Sequence, residues 1–327
     1  MTRRARHNKS GHRSGRRSGR KSGNQAERPG PGGFLVVDKP QGWTSHDVVD
    51  AARRWFGTRR VGHLGTLDPQ ATGVLPLAIR EGTKLVPFVE GGEKDYVGTV
   101  RLGIETDTLD ADGRVLVEHT GPLPDEPTVL EALATFEGDI EQIPPMFSAV
   151  KQGGVPLHRL ARRGEVVERA PKKVRIHELQ VLAFELPNVE IGVRCSAGTY
   201  VRTLAADLGE RLGCGAHLSA LRRTRSGPFE LSQARTVEEL EAAAEESRID
   251  SLLIPPAAAM NLPVLDLPEV AASRVLHGCD VSPGSAFRAA PGARLIATNA
   301  EGKPLALMEL RPDRRLWPLR VLAQVVE

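Results

Sequence analysis

The chain has 327 residues, with 44 Lys and Arg against 41 Asp and Glu for a net charge of +3, and it is 40% hydrophobic but only 4% aromatic. This composition is typical of a globular protein long enough for about two domains. No apolar stretch approaches the ~20 residues that span a membrane, and none follows the basic N-terminus as in a secretory signal. Cys195, Cys214 and Cys279 lie far apart, which excludes a disulfide framework and a CxxC zinc site and favours a cytoplasmic location.

Positive charge is concentrated at the N-terminus. Residues 1–28 contain eight Arg and two Lys against one Glu, a net charge of +9, so the rest of the chain carries −6. This segment has no Val, Ile, Leu or aromatic residue and is followed by a Pro/Gly run. We therefore expect a disordered basic arm over residues 1–33. Such an arm attracts RNA or DNA by counterion release, and the alternative is a solvated tail without a specific partner.

Apolar patterns and turn residues predict the elements that follow the arm. A strand is expected at 34–38, followed by a helix that Thr44 or Ser45 caps and that extends to about Phe56. The next predicted elements are a strand at 74–79, a helix at 83–89, strands at 96–102 and 114–118, a helix at 128–136, strands at 174–184 and 190–195, and a helix at 200–212. Hairpin-like strand pairs and single helices without βαβ alternation predict an α+β fold, with a largely antiparallel or mixed sheet flanked by helices.

A second boundary is expected near residues 247–263, where a Pro/Ala run interrupts the pattern. We assign residues 34–255 to a main domain and residues 256–327 to a small β-rich C-terminal module. That module is predicted to contain a helix at 270–277 and strands at 295–298, 305–310 and 316–322.

The segment Val61 to Gly73 combines glycines with one imidazole, His63, and one carboxylate, Asp68. Glycines let a backbone approach a ligand closely, and Asp68 precedes a proline that restricts its backbone. This pattern indicates a loop shaped for ligand contact, although Asp68 as a turn residue and His63 as a surface residue are an open alternative. No phosphate-binding G-x-x-x-x-G-K-[ST] is present.

Two further segments fail as metal sites. Thr106 to His119 is similar to a calcium-binding loop but lacks acidic residues at its first and twelfth positions, so we expect an Asp-rich turn. His277 and Cys279 have no third ligand nearby in sequence. No metal site is predicted.

The chain has only two tyrosines, Tyr96 and Tyr200, and both lie in glycine-containing segments. A tyrosine suits a nucleobase site because its face stacks and its hydroxyl exchanges hydrogen bonds or a proton. Packing roles for both remain the alternative. Arg202 follows Tyr200 by two positions, and it is a candidate bidentate partner for Asp68.

The loop belongs to a series of sequence blocks in fixed order. It reads Gly62-His63-x-Gly65-x-Leu67-Asp68-Pro69-x-Ala71-Thr72-Gly73, and the other blocks lie at 37–40, 94–103, 142–151, 195–202 and 215–224. In sequence and order these blocks resemble the bacterial tRNA pseudouridine-55 synthase family, of the TruB type. The resemblance extends over about residues 34–230.

The resemblance implies an isomerase that converts the T-loop uridine at position 55 of tRNA to pseudouridine without cofactor or metal. Asp68 would be the essential carboxylate, acting at C1′ by nucleophilic attack or by assisting elimination. Tyr96 would stack on the uracil and is a possible base for its C5 proton. Arg202 would keep Asp68 ionised and oriented.

The remaining implied roles concern substrate binding. Tyr200 and Leu221 would line the pocket, and Lys39, which we group with the substrate site, would support the catalytic loop together with Pro40. His63 would fill the stack vacated by the flipped base and so offset part of the flipping cost. The C-terminal module is similar to a PUA-like RNA-binding domain. The implied partner is the T arm of tRNA, with no guide RNA and no membrane, and a monomer is expected.

Three other functions compete with this one, and the first of them is disfavoured. A glycoside hydrolase would need a second carboxylate, which the loop does not provide. A guide-RNA-dependent H/ACA-type pseudouridine synthase shares the Asp motif and the PUA domain. An RNA-binding tRNA folding factor with dispensable catalysis is the third.

The RNA surface is expected to come from clustered basic residues, for which the candidates are Arg159, Arg162, Arg163, Lys172, Lys173, Arg222, Arg223 and Arg225.

Overall fold

A computed structural model describes residues 27–323, apart from 149, 162, 166 and 285–287, and describes only the backbone at 151, 152, 156 and 158. Most of the predicted basic arm, residues 1–26, therefore lies outside the described chain, as does Arg162. The same is true of position 149 in the sequence block at 142–151 and of 285–287 and 324–327 in the C-terminal module, and the other predictions fall on described residues.

Strands make up most of the regular structure. In chain order they are β1 (Gly33–Lys39), β2 (Val61–His63), β3 (Thr72–Ile79), β4 (Lys94–Leu102), β5 (Ile104–Thr106), β6 (Val115–Glu118), β7 (Gly138–Gln142), β8 (Lys151–Gln152), β9 (Val155–Pro156), β10 (Lys172–Glu185), β11 (Asn188–Cys195), β12 (Ala216–Ser226), β13 (Phe229–Glu230), β14 (Val264–Asp266), β15 (Arg294–Thr298), β16 (Pro304–Leu310) and β17 (Leu316–Val321). The α-helices are α1 (Ser45–Phe56), α2 (Val86–Val89), α3 (Glu126–Ala134), α4 (Leu157–Ala161), α5 (Val201–Leu212), α6 (Val237–Glu245), α7 (Pro256–Met260) and α8 (Glu269–Leu276). Short 3-10 helices cover Arg80–Leu85, Leu231–Gln233 and Ile249–Leu252.

One central sheet organises the main domain. Its strands follow the order β1-β3-β12-β4-β11-β10-β7, with β2 added on β3 and β13 on β12. All of these pairs are antiparallel except β3 with β12, which is parallel. The α+β class with a mixed, largely antiparallel sheet is thus confirmed.

Helix α1 forms where local signals predict it. Thr44 caps it in a reciprocal capping box with Asp47, which satisfies free backbone N–H groups of the first turn. Gly57 ends it in the left-handed conformation, at a φ of 57°. The helix buries one face, including Val48 and Ala52, against the sheet.

The helix expected at 83–89 is interrupted. Residues Arg80–Leu85 form a 3-10 helix, and α2 covers only Val86–Val89. Pro87 has no N–H to continue a hydrogen-bond series from the preceding turn, which explains the break.

Strand β12 has no counterpart among the predicted elements, although it lies inside the sheet between β3 and β4. Its sequence contains Arg222, Arg223 and Arg225, so it lacks the apolar alternation typical of a strand. The arginines are accommodated because they bind backbone carbonyls and carboxylates of neighbouring segments. Non-local partners therefore determine this strand.

The C-terminal residues form the expected β-rich module. Its sheet has the order β14-β15-β16-β17 and packs with α8 around its own apolar cluster, which includes Leu267, Val275 and Leu310. Ile296 and Leu307 face the other way, into a cluster with Phe34 of β1. The module is thus joined to the main domain through buried apolar contacts, while its PUA-like character stays a prediction.

The first described residues are fastened to the main domain. The Arg28 guanidinium lies 2.8 Å from Asp250, and its backbone N–H donates to Gly57. Glu27 accepts from the Thr58 hydroxyl at 3.0 Å. The predicted arm does not extend to residue 33 as a free segment, because Glu27, Arg28 and Pro31 bind residues of the main domain and Gly33 begins β1.

Candidate active site

Asp68 lies in the loop between β2 and β3. The backbone N–H of Ala71 donates to the Asp68 carbonyl at 3.1 Å, closing a turn that contains Pro69. The Asp68 side chain is 34% exposed, so its carboxylate stays accessible from solvent. A reactive group on a loop needs support from rigid elements, and three buried side chains provide it here.

Two of the supports approach from the β1–α1 side. The Lys39 ammonium donates to the carbonyls of Pro40, Trp43 and Pro69 at 2.7–3.1 Å. The Ser45 hydroxyl exchanges hydrogen bonds with both backbone groups of Leu67. Together they fix the backbone on both sides of Asp68.

Lys39 is not a substrate-binding residue in this arrangement. It is 0% exposed, and its three donors are used by carbonyls. Burial lowers the pKa of Lys39 to about 8, an effect that the Asp68 carboxylate partly opposes. Its grouping with the substrate site is thus corrected to a positioning role, as the loop-supporting part of the prediction implies.

Arg223 is the third support. It is 0% exposed, and its guanidinium donates to the carbonyls of Gly65, Thr66 and Val74 at 2.8–3.3 Å. A side chain without exposed surface cannot contact RNA, so its place among the predicted RNA-binding residues is wrong. Arg223 instead joins β12 to the loop that carries Asp68.

Gly73 permits the contact between β3 and β12. Its φ is 96°, and a Cβ atom here would lie 2.2 Å from the carbonyl oxygen of Arg223. The two strands pair in register at this point, with Gly73 opposite Arg223. Any larger residue would push β12, and Arg223 with it, away from the loop.

Arg202 on α5 approaches Asp68 from the other side. Its Nε lies 2.9 Å from Oδ2 of Asp68, and its Nη1 lies 3.2 Å from Oδ2 of Asp110. The Nε contact lacks hydrogen-bond alignment, so its hold on Asp68 is electrostatic. Nη1 also donates to the Thr108 carbonyl, and Nη2 donates to the Phe147 carbonyl, both at 3.0 Å. The structure thus brings together the predicted pair of Asp68 and Arg202.

Asp110 is a site residue that the sequence pattern concealed within an Asp-rich turn. It is buried, and this burial raises the pKa of its carboxyl, whereas Thr108 and Arg202 oppose the shift. Asp110 and Asp68 share one guanidinium, which holds Arg202 in place between them.

A cavity of about 230 Å³ opens beside Asp68 and is lined by Tyr96, Tyr200, Leu221 and Arg202. Tyr96 on β4 is 7% exposed, and burial raises its pKa. The pKa of Tyr200 is raised in the same way, while a hydrogen bond with Ser148 opposes the rise. The cavity therefore offers protonated phenols and an aliphatic wall beside one carboxylate, as a uracil site would require.

Gln142 holds the backbone of Tyr200. Its side-chain amide accepts from the Tyr200 N–H at 2.9 Å and donates to the Tyr200 carbonyl at 3.2 Å. Gln142 is buried at the end of β7. Gln142 is the first residue of the sequence block at 142–151, and the sequence alone predicted no role for it.

His63 does not line the cavity of Asp68. It ends β2, and its buried Nδ1 has no hydrogen-bond partner among the described residues. Burial lowers the pKa of His63, so the imidazole is neutral near pH 7. A neutral ring beside the catalytic loop is compatible with stacking on RNA.

The other predicted RNA-binding residues differ in their availability. Arg222 is bound to Asp38 at 2.7 Å, and Arg225 forms a bidentate pair with Asp95. The candidates that are exposed to solvent are Arg159, Arg163, Lys172 and Lys173.

Across the described residues, no helix is long and apolar enough to cross a membrane. The same part of the chain contains no group of three or more His, Cys, Asp or Glu side chains placed to hold a metal ion.

Comparisons with known proteins bear on the origin of this site. Residues 53–201 match the family model for the N-terminal domain of TruB family pseudouridylate synthases, and residues 202–261 match that for the tRNA pseudouridylate synthase B C-terminal domain. The tRNA pseudouridine synthase B of Aromatoleum aromaticum is 44% identical over 90% of this chain and 93% of its own length. The chain belongs to the TruB family.

Other TruB relatives agree. The tRNA pseudouridine synthase B of Pseudomonas aeruginosa is 43% identical over 89% of this chain and 95% of its own. Among solved structures, an H/ACA ribonucleoprotein bound to a substrate RNA containing 2′-deoxyuridine aligns with a TM-score of 0.63 and 26% identity over 89% of this chain and 85% of that one. Residues 262–327 lie beyond both family models.

Proposed function

We propose that this chain is a tRNA pseudouridine synthase that isomerises the T-loop uridine at position 55. The observation that carries the proposal is the Asp68 carboxylate, held by Arg202 at the edge of a cavity lined by two tyrosines. Membership of the TruB family supports the reaction, and the name that its relatives share supports tRNA as the substrate. The T arm as the contacted region and the individual residue roles are our inference.

In the proposed reaction, the N1-glycosidic bond breaks, the uracil turns, and C5 joins C1′ of the same ribose. Asp68 either attacks C1′ or assists an elimination at the sugar, and either step needs an ionised carboxylate with fixed orientation. Arg202 supplies a positive charge 2.9 Å away, and Lys39, Ser45 and Arg223 immobilise the loop backbone. No step of this proposal uses a cofactor or a metal.

Tyr96 stacks on the uracil in this scheme. Because burial raises its pKa, the phenol is protonated at neutral pH, which favours stacking and hydrogen-bond donation. A role as the base for the C5 proton would require the opposite shift, so we assign Tyr96 to stacking. Tyr200 and Leu221 also line the cavity.

The base must leave its stack to reach Asp68, at a cost of a few kcal/mol. We propose that the neutral ring of His63, next to the catalytic loop, fills the vacated position. Exposed residues such as Lys172 and Lys173, together with the basic N-terminal segment, would attract the RNA backbone. The proposed reaction places the protein where tRNA is processed, in the cytoplasm.

A guide-dependent enzyme and a pure RNA-binding folding factor are the competing functions. Purified protein would be incubated with an unmodified tRNA transcript and no guide RNA, and pseudouridine would be mapped by carbodiimide-dependent primer extension. We expect a stop at the T-loop uridine. Product only after addition of a guide RNA would support the H/ACA-type function, and tRNA binding without product would support the folding factor.

A further inference from the structure

A second cavity adjoins the proposed uracil site. It has a volume of about 180 Å³ and is lined by Leu64, Phe229, Glu90 and several glycines. Lys94 and Gly198 line both cavities, so the two are neighbours across these residues. The proposed reaction gives this space no role.

Lys94 lies on the same face of β4 as Tyr96. Residues two positions apart on a strand point to the same side, at a separation of about 7 Å. The Lys94 ammonium also lies against the catalytic loop, since a Cβ atom added at Gly65 would be 3.3 Å from Nζ. A base stacked on Tyr96 would thus have this ammonium next to it along the strand.

Within the described part of the chain, the Lys94 ammonium makes no hydrogen bond and no ion pair. Burial lowers the pKa of Lys94 and the nearby Arg223 adds to the effect, whereas Cys195 and Glu90 oppose it. A partly buried ammonium without a partner is unfavourable in the free protein. Glu90, the carboxylate at the second cavity, is itself exposed and outside ion-pair distance of Lys94.

Backbone donors are also free around Lys94. Neither Gly92 nor Gly198 uses its N–H in a hydrogen bond with another described residue. Gly198 has open space where a side chain would lie, which leaves its backbone accessible to a ligand, whereas Gly92 packs against Gly227. An ammonium together with free N–H groups is the donor set that binds a phosphate oxygen.

We propose that Lys94 and the adjoining cavity bind a backbone phosphate next to the target uridine. This subsite rests on the proposed function, because it holds the RNA strand while the uracil lies on Tyr96. It also explains why an unpaired ammonium is kept beside the catalytic loop: the RNA supplies its counter-charge.

The test combines variants with altered RNA. Lys94→Met removes the charge with similar length, Lys94→Arg keeps it, and Arg54→Met removes one charge from the exposed last turn of α1 as a control. The substrates are a T-arm stem-loop and two versions in which the phosphate 5′ or 3′ of the target uridine is a neutral methylphosphonate. The value of kcat/KM and the RNA binding constant at several salt concentrations are measured for each combination.

We expect Lys94→Met to lower kcat/KM roughly 10- to 100-fold, the range for loss of a charged hydrogen bond. One methylphosphonate should lower the wild-type value by a similar factor and should not lower the Lys94→Met value further. The slope of log binding constant against log salt should flatten by about 0.7 in Lys94→Met. Lys94→Arg should retain the dependence on that phosphate, and Arg54→Met should stay within twofold of wild type.

The stability of the variant distinguishes phosphate binding by Lys94 from a purely structural role of this residue. Because the free ammonium is unpaired, Lys94→Met should unfold at no lower urea concentration than wild type. Lower stability, near-wild-type activity, or losses that multiply with both methylphosphonates would overturn the proposal. Absence of pseudouridine with wild-type protein and unmodified RNA would instead overturn the proposed function, so the two failures are distinguishable.

Discussion

Replacement of Arg223 by Met tests whether this arginine supports the catalytic loop or binds RNA. The change removes donors to the carbonyls of Gly65, Thr66 and Val74, all supplied by one fully buried side chain. Each buried carbonyl left without a donor costs about 1–3 kcal/mol. Relief of the buried charge offsets part of this loss, so we expect Arg223→Met to lower the free energy of unfolding by about 3–5 kcal/mol.

The neighbouring Arg222 provides the matched control. It is 39% exposed and pairs with Asp38, and an exposed pair of this kind contributes at most about 1 kcal/mol. Urea unfolding of Arg222→Met should therefore resemble that of wild type. The two variants should also differ in activity. Arg223→Met should lower the rate, because displacement of the loop by about 1 Å is enough to cost roughly 100-fold in rate, whereas Arg222→Met leaves the loop in place.

The assay is urea unfolding followed by circular dichroism, with single-turnover kinetics under conditions in which each variant is folded. Arg223→Met should lose stability and catalytic rate, while its tRNA binding changes less than its rate. Equal stability for the two variants, with equally weakened tRNA binding, would refute the reasoning. Arg223 would then be an RNA contact as the sequence pattern suggested.

Three further predictions concern other parts of the chain. Burial, with a contribution from Glu210, raises the pKa of Asp207 to about 6 from 3.8. The folded chain therefore holds the Asp207 proton more tightly than the unfolded chain does. The resulting stabilisation is complete below pH 3.8 and is lost as the pH rises through 6. Urea unfolding should therefore show Asp207→Asn more stable than wild type at pH 7.5, by about 1–2 kcal/mol, and the difference should vanish near pH 4; a constant difference would contradict this. Gly73→Ala should lower the free energy of unfolding by at least ~3 kcal/mol in the same assay, because its Cβ would meet the Arg223 carbonyl. Gly42→Ala is the control, since it is also at positive φ but in open space, and it should lower the free energy of unfolding by about 1 kcal/mol. Equal losses for the two variants would show that β12 can move. Deletion of residues 2–26 should weaken tRNA binding and flatten its salt dependence without changing the single-turnover rate of bound tRNA, and an unchanged salt slope would leave the arm as a solvated tail.

Locally determined elements could be predicted from the sequence. The capping residue Thr44 and the terminal Gly57 define α1 through contacts within a few residues, and the same is true of α5, which ends at Gly213 in the left-handed conformation. Such signals need no knowledge of the rest of the chain.

Strand β12 and its arginine could not be predicted in this way. A buried Arg223 requires carbonyls from a loop about 150 residues earlier in the chain, so its local sequence resembles a basic surface. Asp110 was missed for the same reason, because Arg202 is its partner only in the folded chain. The motif around Asp68 indicated the centre of the site, whereas the residues that hold it depend on tertiary contacts.

The central claim is that the Asp68 carboxylate performs the reaction in the cavity beside Tyr96. The most direct test is a single-turnover measurement of pseudouridine at the T-loop uridine for wild type and Asp68→Asn, with tRNA affinity measured in parallel. We predict product with wild type, none with Asp68→Asn, and dissociation constants within a few-fold of each other. Pseudouridine formed by Asp68→Asn would contradict the claim.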